Sequence, residues 1–175
     1  MNPKLTVGAL KREASAFAEM ESQHGEPSMY GVTDGKAVGT YLEHKFLQHL
    51  KARFRFGPSS SAKGIDLPGI NVDIKTTSVK QPRSSCPFKS AQQKIFGLGY
   101  SLLVFVYKKT DDDATRTARL TVRHVIYVDA SLTADFQTTT GILQILDNQG
   151  NQDDLVAFMQ DRFLPVDEVE ARRLA

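Results

Sequence analysis

The sequence has one cysteine and no long hydrophobic run, and each absence excludes a class of protein. Cys86 has no second cysteine to pair with among the 175 residues, so an intramolecular disulfide cannot form. The longest apolar run, residues 102–107, is far shorter than the ~20 residues of a membrane helix. The N-terminus has no apolar signal core. We therefore expect a cytoplasmic protein that does not associate with membranes. The lack of a cysteine–histidine cluster also disfavours zinc.

What remains is the composition of one ordinary folded domain, with 41% hydrophobic and 24% charged residues. Apolar spacing predicts helices, with turn signals at their ends, over residues 3–23, 36–54, 90–96, 131–148, 152–163 and 166–174. Alternating or continuous apolar patterns predict a hairpin and two strands, over residues 65–76, 100–108 and 119–128. This order predicts an α/β or α+β domain with a sheet between helical layers. Within that single domain we expect an N-terminal helix and loop at 1–35, a core at 36–130 and C-terminal helices at 131–175.

Two strand patterns make specific predictions about burial. Residues 100–108 are almost all apolar, which predicts a central strand covered on both faces. In residues 119–128 the alternation predicts one apolar face made of Leu120, Val122, Ile126 and Val128.

Charge is unevenly distributed along the chain. Residues 36–94 carry eleven Lys and Arg but only three acids, so this segment has a net charge of +8 and the remainder −6. Such a segment favours contact with a polyanion, although it is also compatible with a solvated basic face. The positions of the three acids, Glu43, Asp66 and Asp73, favour the first interpretation.

Asp66 and Asp73 belong to the predicted hairpin. A two-residue turn at Pro68-Gly69 places Leu67 opposite Ile70, and Asp66 opposite Asn71. Alternate residues share a face, so Asp66 and Asp73 become diagonal neighbours about 7–8 Å apart. The polar face then consists of Asp66, Asn71, Asp73 and Lys75, and the apolar face of Ile65, Leu67, Ile70, Val72 and Ile74.

Two carboxylates this close repel each other unless a cation lies between them, and Mg²⁺ is a hard cation that prefers carboxylate oxygens. Lys75 shares their face, where it could orient a water or help to deprotonate it during attack on a phosphodiester. The alternative is a surface ion-pair face. The Asp/Glu-x-Lys tripeptide alone is not specific, because it also occurs at 34–36 and 43–45.

Glu43 projects into the apolar arc of the helix predicted over residues 36–54. That arc consists of Val38, Leu42, Phe46, Leu50 and Phe54. A charge there is costly unless it is paired, so we expect it to approach the metal, directly or through water. The alternative is a side chain at the edge of the arc that reaches solvent.

A helix glutamate, an aspartate entering a hairpin and Asp73-Ile74-Lys75 on its second strand resemble the PD-(D/E)xK nucleases of the restriction-endonuclease-like superfamily. The resemblance covers residues 36–108. It departs from the family pattern at Ile65, where a proline is usual, and in the short hairpin. It implies a central mixed β-sheet sandwiched by helices, with Asp66, Asp73 and Lys75 as the catalytic triplet. Glu43 is then an accessory acid, and the implied metal ligands are Asp66, Asp73 and Glu43.

Type II restriction endonucleases are the most similar members. This implies a bacterial or archaeal homodimer that hydrolyses double-stranded DNA at a specific sequence with Mg²⁺, for which Mn²⁺ can substitute. One alternative is a structure-specific repair or Holliday-junction-resolving nuclease. Another is a non-catalytic DNA-binding protein with a degenerate site, against which the intact Asp73 and Lys75 argue.

Polar side chains on both sides of the hairpin are candidate contacts to phosphates or guanine edges. They are Arg53, Arg55, Lys63, Lys80, Arg83, Lys89, Gln92, Gln93 and Lys94. For residues 92–94 an ordinary polar helix face is the alternative.

Overall fold

The computed structural model describes residues 2–57, 64–82 and 86–175, which form an α+β fold with a mixed four-stranded sheet. The chain separates into two compact units: residues 1–85 with 102–128, and residues 86–101 with 129–175. In the described ranges, no helix has the length and apolar character needed to cross a membrane.

The first unit contains two long helices and most of the sheet. The helices are α1 (Val7–Gln23) and α2 (Gly35–Arg53), and the strands are β1 (Gly25–Glu26), β2 (Val72–Ser78), β3 (Ser101–Asp112) and β4 (Thr117–Val128). The strand order is β1-β4-β3-β2, with β4 antiparallel to both β1 and β3. The central position predicted for β3 is therefore confirmed.

Helix α1 begins at Val7, four residues later than predicted. The Thr6 hydroxyl accepts a hydrogen bond from the Ala9 N–H at 3.2 Å, which caps the helix. The residues before Thr6 pair with the segment after α2: the Leu5 N–H donates to the Arg55 carbonyl, and the Arg55 N–H to that of Pro3.

Both helices of the first unit pack on the same face of the sheet. Phe17 of α1, Phe46 of α2 and Phe105 of β3 meet with ring centroids 5.0 to 5.8 Å apart. Four of the five residues of the predicted apolar stripe of α2 are buried: Val38, Leu42, Phe46 and Leu50. The fifth, Phe54, follows the end of the helix and is only partly buried. On β3, burial alternates: Leu103, Phe105 and Tyr107 are buried, whereas Leu102, Val104 and Val106 are only partly covered.

A β-bulge changes the predicted face of β4. Val106 pairs with His124 and Tyr107 with Val122, so Arg123 is an extra residue without a partner on β3. One inserted residue reverses the alternation beyond it. Consequently Val125 packs against the core while Ile126 is exposed, and the prediction that Ile126 shares the face of Leu120 and Val122 is wrong.

The second unit is helical: α3 (Ala91–Phe96), α4 (Phe136–Asp147), α5 (Gln152–Asp161) and α6 (Glu168–Leu174). Its small core contains Val156, Met159 and Ala171. Helix α4 begins five residues later than predicted, because Asp135 caps it by accepting a hydrogen bond from the Thr138 N–H at 2.9 Å. Ala130–Leu132 forms a separate 3₁₀ turn.

Candidate active site

The hairpin closes with four residues, 68–71, and the predicted two-residue turn is wrong. Leu67 and Val72 exchange both backbone hydrogen bonds, at 3.0 and 3.2 Å. A two-residue hairpin turn needs a positive φ at its first central residue, and proline fixes φ near −65°. Pro68 therefore cannot occupy that position. Asn71, at the end of the loop, adopts a φ of +55°, a conformation that asparagine tolerates.

The longer loop shifts the pairing by two residues, so the side chains outside residues 68–71 keep their predicted faces. Ile70 and Asn71 now lie in the loop. The apolar face is confirmed for Ile65, Leu67, Val72 and Ile74, all at most 4% exposed. Because Leu67 pairs with Val72, the next residues outward, Asp66 and Asp73, lie opposite one another. The two aspartates are thus direct neighbours across the hairpin, and the predicted diagonal relationship is wrong.

Hydrogen bonds across the hairpin hold both carboxylates. The Asp66 N–H donates to Asp73 Oδ1 at 3.3 Å, and the Ile74 N–H donates to Asp66 Oδ2 at 3.0 Å. Each carboxylate therefore uses one oxygen to bind the backbone of the opposite arm. These two hydrogen bonds fix both side chains. The second carboxylate oxygen of each aspartate takes no part in them.

Asp73 is more deeply buried than a hairpin's polar face suggests, with 1% of its surface exposed. Burial, together with the neighbouring Asp66 carboxylate, raises the pKa of Asp73 to about 6, and the Lys75 ammonium limits the rise. Its buried Oδ2 lies 2.7 Å from Lys75 Nζ in an ion pair, but makes no well-aligned hydrogen bond to a described residue. Asp73 Oδ2 therefore retains acceptor capacity beside the Lys75 ammonium.

Lys75 stays positively charged in this surrounding. Burial lowers its pKa, but the ion pair with Asp73 and the charges of Glu43 and Asp66 outweigh that effect, and the pKa lies above its ordinary value. The site consequently presents an ammonium group next to two carboxylates.

Glu43 reaches the same site from α2. Its half-buried carboxylate accepts a hydrogen bond from the Thr76 hydroxyl, Oγ1 to Oε1, at 3.3 Å. Burial raises the pKa of Glu43; the Lys75 charge counteracts this and the Asp66 and Asp73 charges add to it. The helix glutamate thus lies within electrostatic range of all three hairpin residues.

The sequence-based interpretation missed Gly39 and Thr76, which bring α2 against β2. A Cβ atom at Gly39 would lie 2.5 Å from Thr76 Oγ1, so only glycine fits there without displacing the threonine. The available signal was a glycine in the interior of a buried helix, which costs about 1 kcal/mol relative to alanine and therefore indicates a close approach.

The aspartate pair fits a magnesium ion. Mg²⁺ usually takes one or two protein carboxylates and completes its shell with water and substrate phosphate. Asp66 and Asp73 supply two facing carboxylates, and Asp73 Oδ2 supplies the buried acceptor. Across residues 2–57, 64–82 and 86–175, no three acidic, histidine or cysteine side chains form a group that could hold a metal. Glu43, the third predicted ligand, accepts a hydrogen bond from Thr76 through Oε1.

The candidate DNA contacts of the first unit are spread over its surface. Arg53 lies ten residues beyond Glu43 on α2, about 15 Å along the helix, and its Nε is 3.6 Å from Glu13. Arg55 Nε donates to the Asn2 carbonyl at 2.9 Å. Lys80 is exposed just after β2. Lys63 and Arg83 lie outside the described residues.

In the second unit, the side chains of Gln93 and Lys94 make contacts within the protein. Gln93 accepts a hydrogen bond from the Lys89 N–H and donates to the Leu98 carbonyl at 2.7 Å. Lys94 forms an ion pair with Asp135 at 2.8 Å. Gln92 and Lys89 are exposed.

Comparisons with known proteins agree with this chemistry. A sequence profile described as type II restriction enzyme NspV matches residues 4–175. The type II restriction enzyme NspV of Nostoc sp. (strain ATCC 29411 / PCC 7524) is 62% identical over 171 residues, which cover 98% of this chain and 78% of that relative. No solved structure matches the chain. The chain is therefore a member of the type II restriction enzymes and, among them, belongs to the NspV family.

Proposed function

We propose that this protein is a Mg²⁺-dependent endonuclease that hydrolyses phosphodiester bonds of double-stranded DNA at a specific sequence, in the cytoplasm of a bacterium or archaeon. The observation that carries the proposal is the Asp66–Asp73 pair with Lys75 beside it, in a chain of the NspV family. Family membership favours this function over a junction-resolving nuclease or a non-catalytic DNA-binding protein.

Asp66 and Asp73 are the residues that would hold Mg²⁺ or, in its place, Mn²⁺. When bound, the ion supplies positive charge at the phosphate, where negative charge increases during the reaction. Asp73 must be ionised for this, and with a pKa of about 6 it is ionised at neutral pH. Its burial prevents water from screening the interaction.

Lys75 acts as a fixed cation. Because its pKa lies above the ordinary value, it keeps its proton and donates hydrogen bonds through Nζ. We therefore assign it to orienting the phosphate or the attacking water; deprotonating the water is the less suitable role. Such charge stabilisation by a positioned donor contributes several kcal/mol to catalysis.

One set of incubations tests the proposed function. The protein is mixed with a large linear DNA, a plasmid and a synthetic four-way junction, with Mg²⁺ or with a chelator. We expect discrete fragments of the large DNA with Mg²⁺ and none with the chelator. Cleavage of the junction alone would support the junction-resolving alternative. Absence of metal-dependent cleavage of all three, with DNA binding intact, would contradict an enzymatic function.

We further propose that the protein is a homodimer. Phe136, Leu143 and Leu146 lie on one face of α4 and are 80%, 58% and 50% exposed. The only charged residue of this helix is Asp147 at its end. An uncharged apolar face can meet its own copy across a two-fold axis without like-charge repulsion, and this supports a second copy as the partner.

A further inference from the structure

The packing of α2 on β2 links a glycine, a threonine and the helix glutamate. Gly39 lies one helical turn before Glu43, so both residues face the same side of α2. Thr76 on β2 touches both: its Oγ1 donates to Glu43 Oε1 at 3.3 Å and occupies the space beside Gly39. The threonine hydroxyl is therefore fixed between the backbone of one turn and the carboxylate of the next.

Thr76 also follows Lys75 directly in the chain, on the opposite face of the same strand. The hydroxyl thus ties Glu43 to the strand that carries Asp73 and Lys75. Without this bond, a half-buried carboxylate with three charged neighbours would change its rotamer to reach water or the Lys75 ammonium.

We propose that Thr76 is a positioning residue, which holds the Glu43 carboxylate at a fixed distance from the Asp66–Asp73 pair, and that Gly39 makes the contact possible. This inference rests on the proposed function of the same site. Residues that orient charged groups around a metal typically change metal affinity or activity 10- to 100-fold when they are removed.

The test compares Thr76→Val, which removes the hydroxyl but keeps the shape, with Thr76→Ser, which keeps the hydroxyl. Thr77→Val is the matched control, because Thr77 is the next residue of β2 and its hydroxyl donates to the Gln81 carbonyl, away from Glu43. Mn²⁺ affinity is measured by calorimetry on the protein without DNA. For cleavage, kcat, KM for DNA and the Mg²⁺ concentration at half-maximal rate are determined separately.

For Thr76→Val we expect Mn²⁺ affinity and kcat to fall by about 10-fold, with KM for DNA unchanged. Thr76→Ser and Thr77→Val should both remain within about 2-fold of wild type. A loss that Thr76→Ser does not rescue, or an equal loss in Thr77→Val, would show that only the packing of β2 matters and would overturn the assignment. Unchanged Mn²⁺ affinity and kcat in Thr76→Val would also overturn the assignment.

Gly39→Ala provides an independent test through stability. In wild type the added methyl would lie 2.5 Å from Thr76 Oγ1, so we expect a lower melting temperature and the same metal defect as in Thr76→Val. In a Thr76→Ala background the obstructing atom is gone, and alanine should raise the melting temperature because it favours helix more than glycine does. The same shift of melting temperature in both backgrounds would contradict the proposed contact.

Failure of this inference is distinguishable from failure of the proposed function. If wild type cleaves DNA with Mg²⁺ but Thr76→Val behaves identically, only the role of Thr76 is wrong. If wild type neither cleaves DNA nor binds Mn²⁺, the proposed function is wrong, and the melting experiment still reports whether Gly39 and Thr76 are in contact.

Discussion

Asp66 and Asp73 face one another across a four-residue hairpin loop, and each accepts a hydrogen bond from the backbone of the opposite arm. Two carboxylates therefore lie side by side, and that of Asp73 is buried. Lys75 compensates part of this charge at 2.7 Å from Asp73. The hydrogen bonds prevent the carboxylates from moving apart, so the pair is organised before a cation or a phosphate arrives.

Replacing Lys75 should separate metal binding from catalysis. We expect Lys75→Met to lower kcat by at least about 100-fold, equivalent to roughly 3 kcal/mol of lost charge stabilisation. Mn²⁺ binding should persist, since the ammonium competes with the metal for Asp73. The measurements are single-turnover cleavage and calorimetry. Lys4→Met, an exposed lysine of the first unit, is the control; comparable losses in both variants would argue against a specific role for Lys75.

Metal binding should weaken in mild acid. The pKa of Asp73 is raised to about 6, so below that pH the folded protein holds a proton where the cation binds. We expect Mn²⁺ affinity to be constant above about pH 7 and to fall as the pH drops through 6. Calorimetry between pH 5 and pH 8 measures this. A plateau that extends down to pH 5 would show that Asp73 is not the titrating ligand.

Glu26 should make the stability of the fold depend on acid pH. A hydrogen bond from Ser28, assisted by Tyr41 and His24, lowers the pKa of Glu26 from 4.5 to about 2. Its ionised form is therefore favoured by folding, and this stabilisation is present above pH 4.5 and lost as the pH falls towards 2. Glu26→Gln should lower the melting temperature at pH 7 but have little effect at pH 2. Equal differences at both pH values would contradict the assignment.

The exposed face of α4 should hold the proposed dimer together. We expect sedimentation equilibrium to show a dimer for wild type and a monomer for the double variant Phe136→Ser/Leu143→Ser. Phe163→Ser is the matched control, because Phe163 is 92% exposed but lies outside α4. A dimer that survives the double variant would place the interface elsewhere, and a monomeric wild type would contradict dimerisation itself.

The sequence identified the parts of the site that depend on local periodicity. Asp73 and Lys75 are two residues apart on one strand, and alternation alone places them on one face. The buried stripe of α2 follows in the same way from four-residue spacing.

What the sequence-based interpretation missed depends on geometry that periodicity does not record. The fixed φ of Pro68 lengthened the loop and turned a diagonal aspartate pair into a directly opposed one. Arg123 reversed the alternation of β4 through a bulge. The burial of Asp73 and the contact between Gly39 and Thr76 arise only when α2 and β2 pack together, so no pattern within either segment shows them.

The most direct test of the central claim is Mn²⁺ titration, by calorimetry at pH 7.5, of wild type, Asp66→Asn and Asp73→Asn, with Asp161→Asn on the surface of α5 as the control. We predict that wild type and Asp161→Asn bind the ion with the same affinity, and that each of the other two variants loses at least about 10-fold in affinity together with cleavage. Unchanged Mn²⁺ affinity in both Asp66→Asn and Asp73→Asn would contradict the assignment of this pair as the metal site.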